Sequence, residues 1–111
     1  MAVCRAGAAA NNIPLYKYIS QLFKLQPSSL RLPVPCFNIV NGGLHAGNEL
    51  AVQEFIIIPQ MKSTKESLKV ASEIYHKLKE VLIKNFGKKA ANSGDEGGFA
   101  PPFSFTEEAL N

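Results

Sequence analysis

The stretch "VPCFNIVNGGLHAGNELAVQEFIIIP", residues 34–59, contains two apolar runs separated by a glycine-rich loop. The first run, 34–40, is rich in β-branched and aromatic residues, which favours a β-strand. The second run, 49–59, is almost continuously apolar, which is typical of a strand that is covered on both faces. We therefore predict two strands, joined by a loop in which several glycines surround His45.

Helical periodicity is clearest in residues 63–86. Ser63 and Glu66 have the spacing of a capping box, and Gly87 follows the last apolar residue as a helix terminator. These signals predict one long amphipathic helix. Its apolar stripe is predicted to consist of Leu68, Ala71, Tyr75, Leu78 and Leu82.

Shorter elements are predicted on either side. Residues 2–10 are alanine-rich and 14–24 carry apolar residues at helical spacing, so both segments are predicted to be helices. The sequence "KLQPSSLRLP" that follows has the composition of a linker, and we place a domain boundary there. A short strand is predicted at 90–93 and a further helix at "TEEAL", 106–110. This order of helices and strands is typical of an α/β barrel or layered α/β domain.

Composition limits the function classes. With 111 residues, 46% hydrophobic and 19% charged, the chain has the profile of one small globular domain. The net charge of +3 is spread among interspersed lysines and glutamates, which gives little support for nucleic-acid binding. Cys4 and Cys36 form no CxxC, which favours a reducing compartment, and no apolar run approaches the ~18 residues of a membrane span. We therefore expect a cytoplasmic protein.

Familiar catalytic motifs are absent from the sequence. It contains no GxGxxG or GxxxxGK[ST] nucleotide loop, no HExxH or paired CxxC zinc motif, and no GxSxG nucleophile elbow. The candidate chemistry therefore depends on isolated polar residues near the predicted strands.

The stretch "NSGDEGGFAPP", residues 92–102, places Asp95 and Glu96 among glycines. The structural interpretation is an ordinary turn, since glycine and aspartate are turn formers. The functional interpretation is a loop that holds Glu96 close to a ligand, because glycine lets a backbone or ligand approach closely.

Glu54 interrupts the apolar run "AVQEFIII" and is predicted to be buried on either face of the strand. Burial without a partner would raise the pKa of this carboxyl, whereas the structural alternative is a salt bridge to a lysine. His45 is either a turn histidine or a ligand contact on a loop that closes over a substrate. If His45, the Gln53–Glu54 pair and Glu96 converge at one end of a sheet, they form an acidic pocket that could supply a general acid.

These motifs resemble the enolase family in sequence, order and spacing. The resemblance rests on "LPVPCFNIVNGGLHAGNELAVQEFIIIP", "ASEIYHKLKEVL" and "NSGDEGGFAPP", and it extends over all 111 residues. It implies that 1–28 are the last helices of the N-terminal cap domain, and that 29–111 begin an incomplete (β/α)8-like barrel, as in an internal fragment. Enolases are cytoplasmic, Mg²⁺-dependent, homodimeric hydro-lyases that convert 2-phosphoglycerate to phosphoenolpyruvate in glycolysis and, in reverse, in gluconeogenesis.

The resemblance also implies roles for individual residues. Glu96 matches the proton donor, Gln53 and Glu54 match substrate-binding positions with Glu54 near the leaving hydroxyl, and His45 matches the substrate-contacting loop histidine. The family's metal ligands and its base lysine lie in sequence beyond this segment, so no metal ligand is expected here. Leu44 departs from the family pattern, which has serine at that position.

Two interpretations follow from the resemblance. In the first, the sequence is part of an enolase and contributes its share of the active site, while the 111 residues alone are inactive. In the second, it is a truncated, non-catalytic, enolase-derived protein that serves as a binding or interaction module.

Overall fold

The computed structural model describes residues 1–44 and 46–111. These residues form helices and a two-stranded sheet, which agrees with the predicted α/β class. The chain divides into two compact units, Met1–Pro33 and Val34–Asn111. No helix of the described residues combines the length and the apolar character needed to cross a membrane.

The unit Met1–Pro33 contains two α-helices, α1 (Ala2–Ala10) and α2 (Leu15–Leu22), followed by a 3₁₀ turn. Helix α1 ends at Ala10 with Asn11 as its C-cap. The backbone of Asn12 then takes a positive φ of 50°, a conformation that asparagine tolerates better than most residues. Both helices confirm the sequence prediction. Helix α2 is shorter than the predicted 14–24 because Pro14 precedes it as the N-cap and Phe23 ends it.

The sheet of the unit Val34–Asn111 pairs β1 (Phe37–Asn41) with β2 (Glu54–Ile57) in antiparallel orientation. Asn41 lies opposite Glu54, and a bulge between Asn38 and Val40 interrupts the register. Both strands are shorter than predicted.

The predicted second strand at 49–59 is reduced to four residues. The backbone N–H groups of Gly42 and Gly43 donate to the carbonyl oxygens of Gln53 and Leu50, at 2.8 and 2.7 Å. Residues 50–53 therefore fold against the preceding glycine-rich loop instead of extending the ladder. The prediction that both strand faces are covered is wrong in the described structure, because Ile56 remains 47% exposed.

Helix α3 (Thr64–Phe86) confirms the prediction from the capping box. The Ser63 hydroxyl accepts the Glu66 backbone N–H at 3.2 Å, and the helix ends at Gly87, whose φ is +82°. Of the predicted stripe, two residues are buried, two are half-buried, and Leu68 is 58% exposed. Leu68 borders an apolar cavity of about 200 Å³.

The segment after α3 differs from the prediction of a strand at 90–93. Lys88–Ala91 forms a 3₁₀ turn in which the Ala90 N–H donates to the Gly87 carbonyl at 3.1 Å. Alanine has little preference for strands, so a turn directly after the helix is locally favoured. Ser93 alone forms a bridge, antiparallel to Phe99. Helix α4 (Thr106–Leu110) then begins where predicted.

Phe99 links the helix to the sheet. It bridges Val40 in parallel orientation, its N–H donates to the Ile39 carbonyl at 2.9 Å, and its ring stacks on Tyr75 with centroids 4.3 Å apart. This packing brings the loop before Phe99 to the end of β1. The buried core consists of Val40, Leu50, Leu82, Ala90, Phe99 and Phe103.

The start of α4 is held by a carboxylate. Glu108 Oε2 accepts the backbone N–H groups of Ser104 and Phe105 at 2.8 and 2.9 Å. These two bonds lower the pKa of Glu108 from its ordinary value of 4.5, the bond from Phe105 having the larger effect. The Ser104 hydroxyl in turn donates to Glu49 at 2.8 Å, so this segment contacts the residue that follows the loop at 41–48.

Candidate active site

Residues 93–98 form a tight turn beside β1. This turn is called the second glycine loop, the first being the glycine-rich loop at 41–48. The Gly94 N–H donates to the Gly98 carbonyl at 2.8 Å, and the Gly97 N–H donates to the Gly94 carbonyl at 3.0 Å. Gly97 has a φ of +88°, which L side chains rarely adopt. The turn interpretation is therefore confirmed. It is compatible with the functional interpretation, because the turn places Asp95 and Glu96 exposed at its tip.

Glu96 is held by two side-chain amides. Asn41 Nδ2 donates to Glu96 Oε2 at 2.9 Å, and Gln53 Nε2 donates to Oε1 at 3.1 Å. Asn41 is the last residue of β1, and Gln53 directly precedes β2. Because these two strands pair in antiparallel orientation, the two amides lie close together beside the second glycine loop. Both carboxylate oxygens are thereby fixed in direction.

Asn41 is the best-anchored member of this group. It is only 4% exposed, its N–H donates to the Phe99 carbonyl at 2.8 Å, and its carbonyl accepts Asn48 Nδ2 at 3.0 Å. Asn48 Nδ2 also donates to the Pro101 carbonyl at 2.9 Å. These bonds tie the end of β1 to both flanking loops.

The second glycine loop is also attached to α3. The Tyr75 hydroxyl donates to the Gly97 carbonyl at 2.7 Å. Asn41, Asn48 and Tyr75 did not emerge as site residues from the sequence. The available signal for Asn41 was the pattern "CFNIVN", in which amides interrupt an otherwise apolar strand.

Gly98 allows the loop to approach β1 closely. A Cβ at this position would collide with Asn41 Oδ1 and would lie 2.9 Å from Asn38 Oδ1, closer than side chains approach in folded proteins. The missing side chain is therefore what permits the Asn41 amide to reach the carboxylate of Glu96.

The predicted site residues are only partly brought together. Gln53 and Glu96 are hydrogen-bonded to each other, and Glu54 lies opposite Asn41 in the sheet register. His45 lies outside the described residues. Leu44, at the position where the resemblance expects serine, is 93% exposed.

The predicted burial of Glu54 is wrong, because its side chain is exposed at the start of β2. The alternative of a lysine salt bridge is not formed within residues 1–44 and 46–111, where the ion pairs are Lys69–Glu73 and Lys77–Glu80.

The acidic pocket predicted from His45, Gln53, Glu54 and Glu96 stays a prediction, because His45 lies outside the described residues. Gln53 and Glu96 are both exposed. A cavity of about 570 Å³ lies nearby, but its lining, which includes Asn48, Lys89 and Phe103, contains neither of them.

The described residues around Glu96 do not fit a magnesium ion. Within the described chain, no three histidine, cysteine, aspartate or glutamate side chains lie close enough to hold a metal. The two neighbours of the Glu96 carboxylate are amide N–H donors, which cannot ligate a cation. The arrangement instead suits a carboxyl group that is oriented by hydrogen bonds and presented to a ligand.

Comparisons with known proteins identify the family to which the sequence is similar. The sequence profile of "Enolase, C-terminal TIM barrel domain" matches residues 29–111. Three similar proteins are Enolase B of Dictyostelium discoideum, Enolase of Eimeria tenella and Enolase of Solanum lycopersicum, which are 54%, 53% and 52% identical over 111 residues. Each alignment covers 99% of this chain and 25%, 25% and 24% of the relative, so the chain spans about a quarter of the length of these relatives.

Proposed function

This chain belongs to the enolase family, and from that premise we propose that the native protein carrying it catalyses the reversible dehydration of 2-phosphoglycerate to phosphoenolpyruvate. The observation that carries the proposal is the Glu96 carboxyl group, oriented through both oxygens by Asn41 and Gln53 at the tip of a glycine loop. The activity is that of a hydro-lyase in glycolysis and gluconeogenesis.

Glu96 is proposed as the general acid. In the forward direction a base removes the proton on C2, and the C–H electron pair becomes the C2–C3 double bond. The C3–O bond then breaks, and its electron pair goes to the departing oxygen. This oxygen takes the proton of Glu96 and leaves as water. Hydroxide is a poor leaving group, so protonation by a positioned carboxylic acid lowers the barrier.

The neighbouring polar residues are proposed to bind the substrate. Gln53 directly precedes β2 and Glu54 begins it, and both side chains are exposed. Gln53 also donates to the carboxylate of Glu96. We assign Glu54 to the leaving hydroxyl, in a catalytic as well as a binding role, and Gln53 and His45 to the remainder of the substrate. A hydrogen-bonding site of this kind rejects analogues that lack the matching hydroxyl.

The remaining parts of the reaction are proposed to lie outside these 111 residues. The base lysine and the ligands of the catalytic Mg²⁺ belong to this group. Residues 1–28 are proposed as the end of a cap domain and 29–111 as the start of the barrel, within a cytoplasmic homodimer. The 111-residue chain by itself is therefore expected to be inactive, even with Mg²⁺ present.

The test is an assay of the native protein, purified from a host that lacks its own enolase. We expect phosphoenolpyruvate to form from 2-phosphoglycerate when Mg²⁺ is present, and no product from the 111-residue chain under the same conditions. Absence of product from the folded native protein would contradict the proposed activity and favour the non-catalytic interpretation. Product from the short chain would place the base and the metal ligands within it.

A further inference from the structure

We propose that Asn41 is a positioning residue that fixes Glu96 through Oε2 and thereby reserves Oε1 as the oxygen that carries the transferred proton. This inference rests on the proposed function, since it assigns separate tasks to the two oxygens of the proposed general acid. It also gives the two amides that contact Glu96 different roles.

Asn41 has the properties of a fixed support. Its side chain is buried, its backbone N–H and carbonyl are both hydrogen-bonded, and Nδ2 lies 2.9 Å from Glu96 Oε2. The backbone of Gly98 closes against its side-chain oxygen, where a Cβ would collide. Held in this way, the side chain of Asn41 directs its Nδ2 donor at the carboxylate of Glu96.

The unpartnered atom of Asn41 supports the same conclusion. Its Oδ1 is buried and has no hydrogen-bond partner among the described residues. Burial of an unpaired acceptor destabilises a protein, and an apolar side chain of similar shape would avoid that loss. Turning the amide over would direct Oδ1 at the carboxylate and repel it, so the present orientation serves the bond to Glu96.

Gln53 differs from Asn41 in exposure. It bonds the other oxygen, Oε1, at a longer distance of 3.1 Å, and its side chain is open to solvent. An exposed amide can exchange one acceptor for another when a ligand arrives, because solvent or the ligand replaces the lost bond. Binding of a polar substrate at Gln53 would thus free Oε1 while Asn41 keeps Oε2 in place.

The experiment compares Asn41→Leu, Gln53→Leu and Asn38→Leu in the native protein. We expect Asn41→Leu to lower kcat by about 10- to 100-fold with KM within about threefold, because small misplacements of a catalytic group have effects of this size. Its thermal midpoint should stay the same or rise. Gln53→Leu should mainly raise KM.

Asn38→Leu is the matched control. Asn38 lies in the same strand and its amide atoms are likewise buried without a partner among the described residues, but it does not contact the carboxylate of Glu96. We expect its kcat to stay within about twofold of the unsubstituted protein. An unchanged kcat in Asn41→Leu, or an equal loss in Asn38→Leu, would overturn the role of Asn41.

A second measurement does not depend on folding of Asn41→Leu. In nitrogen-15 spectra of the native protein, we expect the Asn41 side-chain amide resonances to shift on Glu96→Gln, while those of Asn38 stay in place. Unshifted Asn41 resonances would overturn the inference and leave the proposed activity standing. An unsubstituted protein that forms no phosphoenolpyruvate would overturn the activity and the positioning role together.

Discussion

The two glycine-rich loops of the unit Val34–Asn111 share a composition and differ in how they are held. The first glycine loop, 41–48, is bonded at its base through Gly42 and Gly43, while Leu44 near its tip is 93% exposed. The second glycine loop is bonded at its tip, where Glu96 meets two amides and the Gly97 carbonyl accepts the Tyr75 hydroxyl.

The difference shows which task each loop can perform. A carboxyl group that must deliver a proton to one atom needs fixed donors at the loop tip, and the second glycine loop has them. A loop that covers a ligand needs side chains near its tip that are open to solvent. The exposed side chain of Leu44 leaves the first glycine loop suited to that second task.

The largest effect is expected at the tip of the second glycine loop. Glu96→Gln replaces the proposed acid by a group that cannot transfer a proton, so kcat of the native protein should fall by ~10²-fold or more. The matched control is Asp95→Asn, since Asp95 is also exposed at the tip and makes no side-chain hydrogen bond among the described residues. Near-normal turnover of Glu96→Gln would contradict the assignment of the proton donor to the second glycine loop.

A smaller effect is expected where the second glycine loop touches β1. Gly98→Ala would force a Cβ against Asn41 Oδ1, and we expect a loss of about 1–3 kcal/mol in the free energy of unfolding, as for other overpacked sites. Gly94→Ala is the control, because its Cβ would meet the nearest atom of Asn41 at an ordinary 3.5 Å. Urea denaturation of both variants measures the difference. Equal stability would mean that the close approach is not needed.

Glu108 offers a carboxylate that is held as firmly as Glu96 but has no proposed ligand. Its pKa is lowered by the N–H groups of Phe105 and Ser104, so its stabilising effect is fully present above the ordinary value of 4.5. This effect is lost as the pH falls through the lowered pKa. We expect Glu108→Gln to weaken the fall in stability on acidification below about pH 4.5, whereas Glu107→Gln should not. Unfolding followed at several pH values tests this.

The smallest effect on stability is expected at the first glycine loop. Leu44→Ser changes a side chain that is 93% exposed, so the free energy of unfolding should stay within about 0.5 kcal/mol. KM for 2-phosphoglycerate should fall if this loop covers the substrate, because serine restores a hydroxyl that can hydrogen-bond. An unchanged KM would separate the first glycine loop from ligand binding.

Local signals in the sequence were sufficient for the helices. The capping box at Ser63 and Glu66 and the terminator Gly87 act within a few residues, and α3 has the predicted bounds. Local signals failed at 90–93, where the choice between strand and turn depends on pairing with Phe99. They also failed for Glu54, whose predicted burial required a second covered face of the sheet.

The candidate site was harder to predict from the sequence than the helices were. The glycines around Glu96 indicated a special loop, but the partners of Glu96 depend on tertiary contacts. Asn41 is 55 residues away in sequence and Gln53 is 43 residues away. Nothing in the spacing of single residues relates positions so far apart, so the sequence could give the convergence of Gln53 and Glu96 only as a condition.

The bulge in β1 has a consequence for how this segment can change in length. Side chains of a regular strand alternate between faces, so Asn38 and Asn41, three positions apart, would point in opposite directions. The irregular register between Asn38 and Val40 shifts this alternation, and both side-chain oxygens approach Gly98. The bulge therefore decides which face of the strand each later side chain lies on. Deletion of one residue at the bulge would move Asn41 to the other face and turn its amide away from Glu96. Substitution of a bulge residue, without a change in length, would leave Asn41 on its present face.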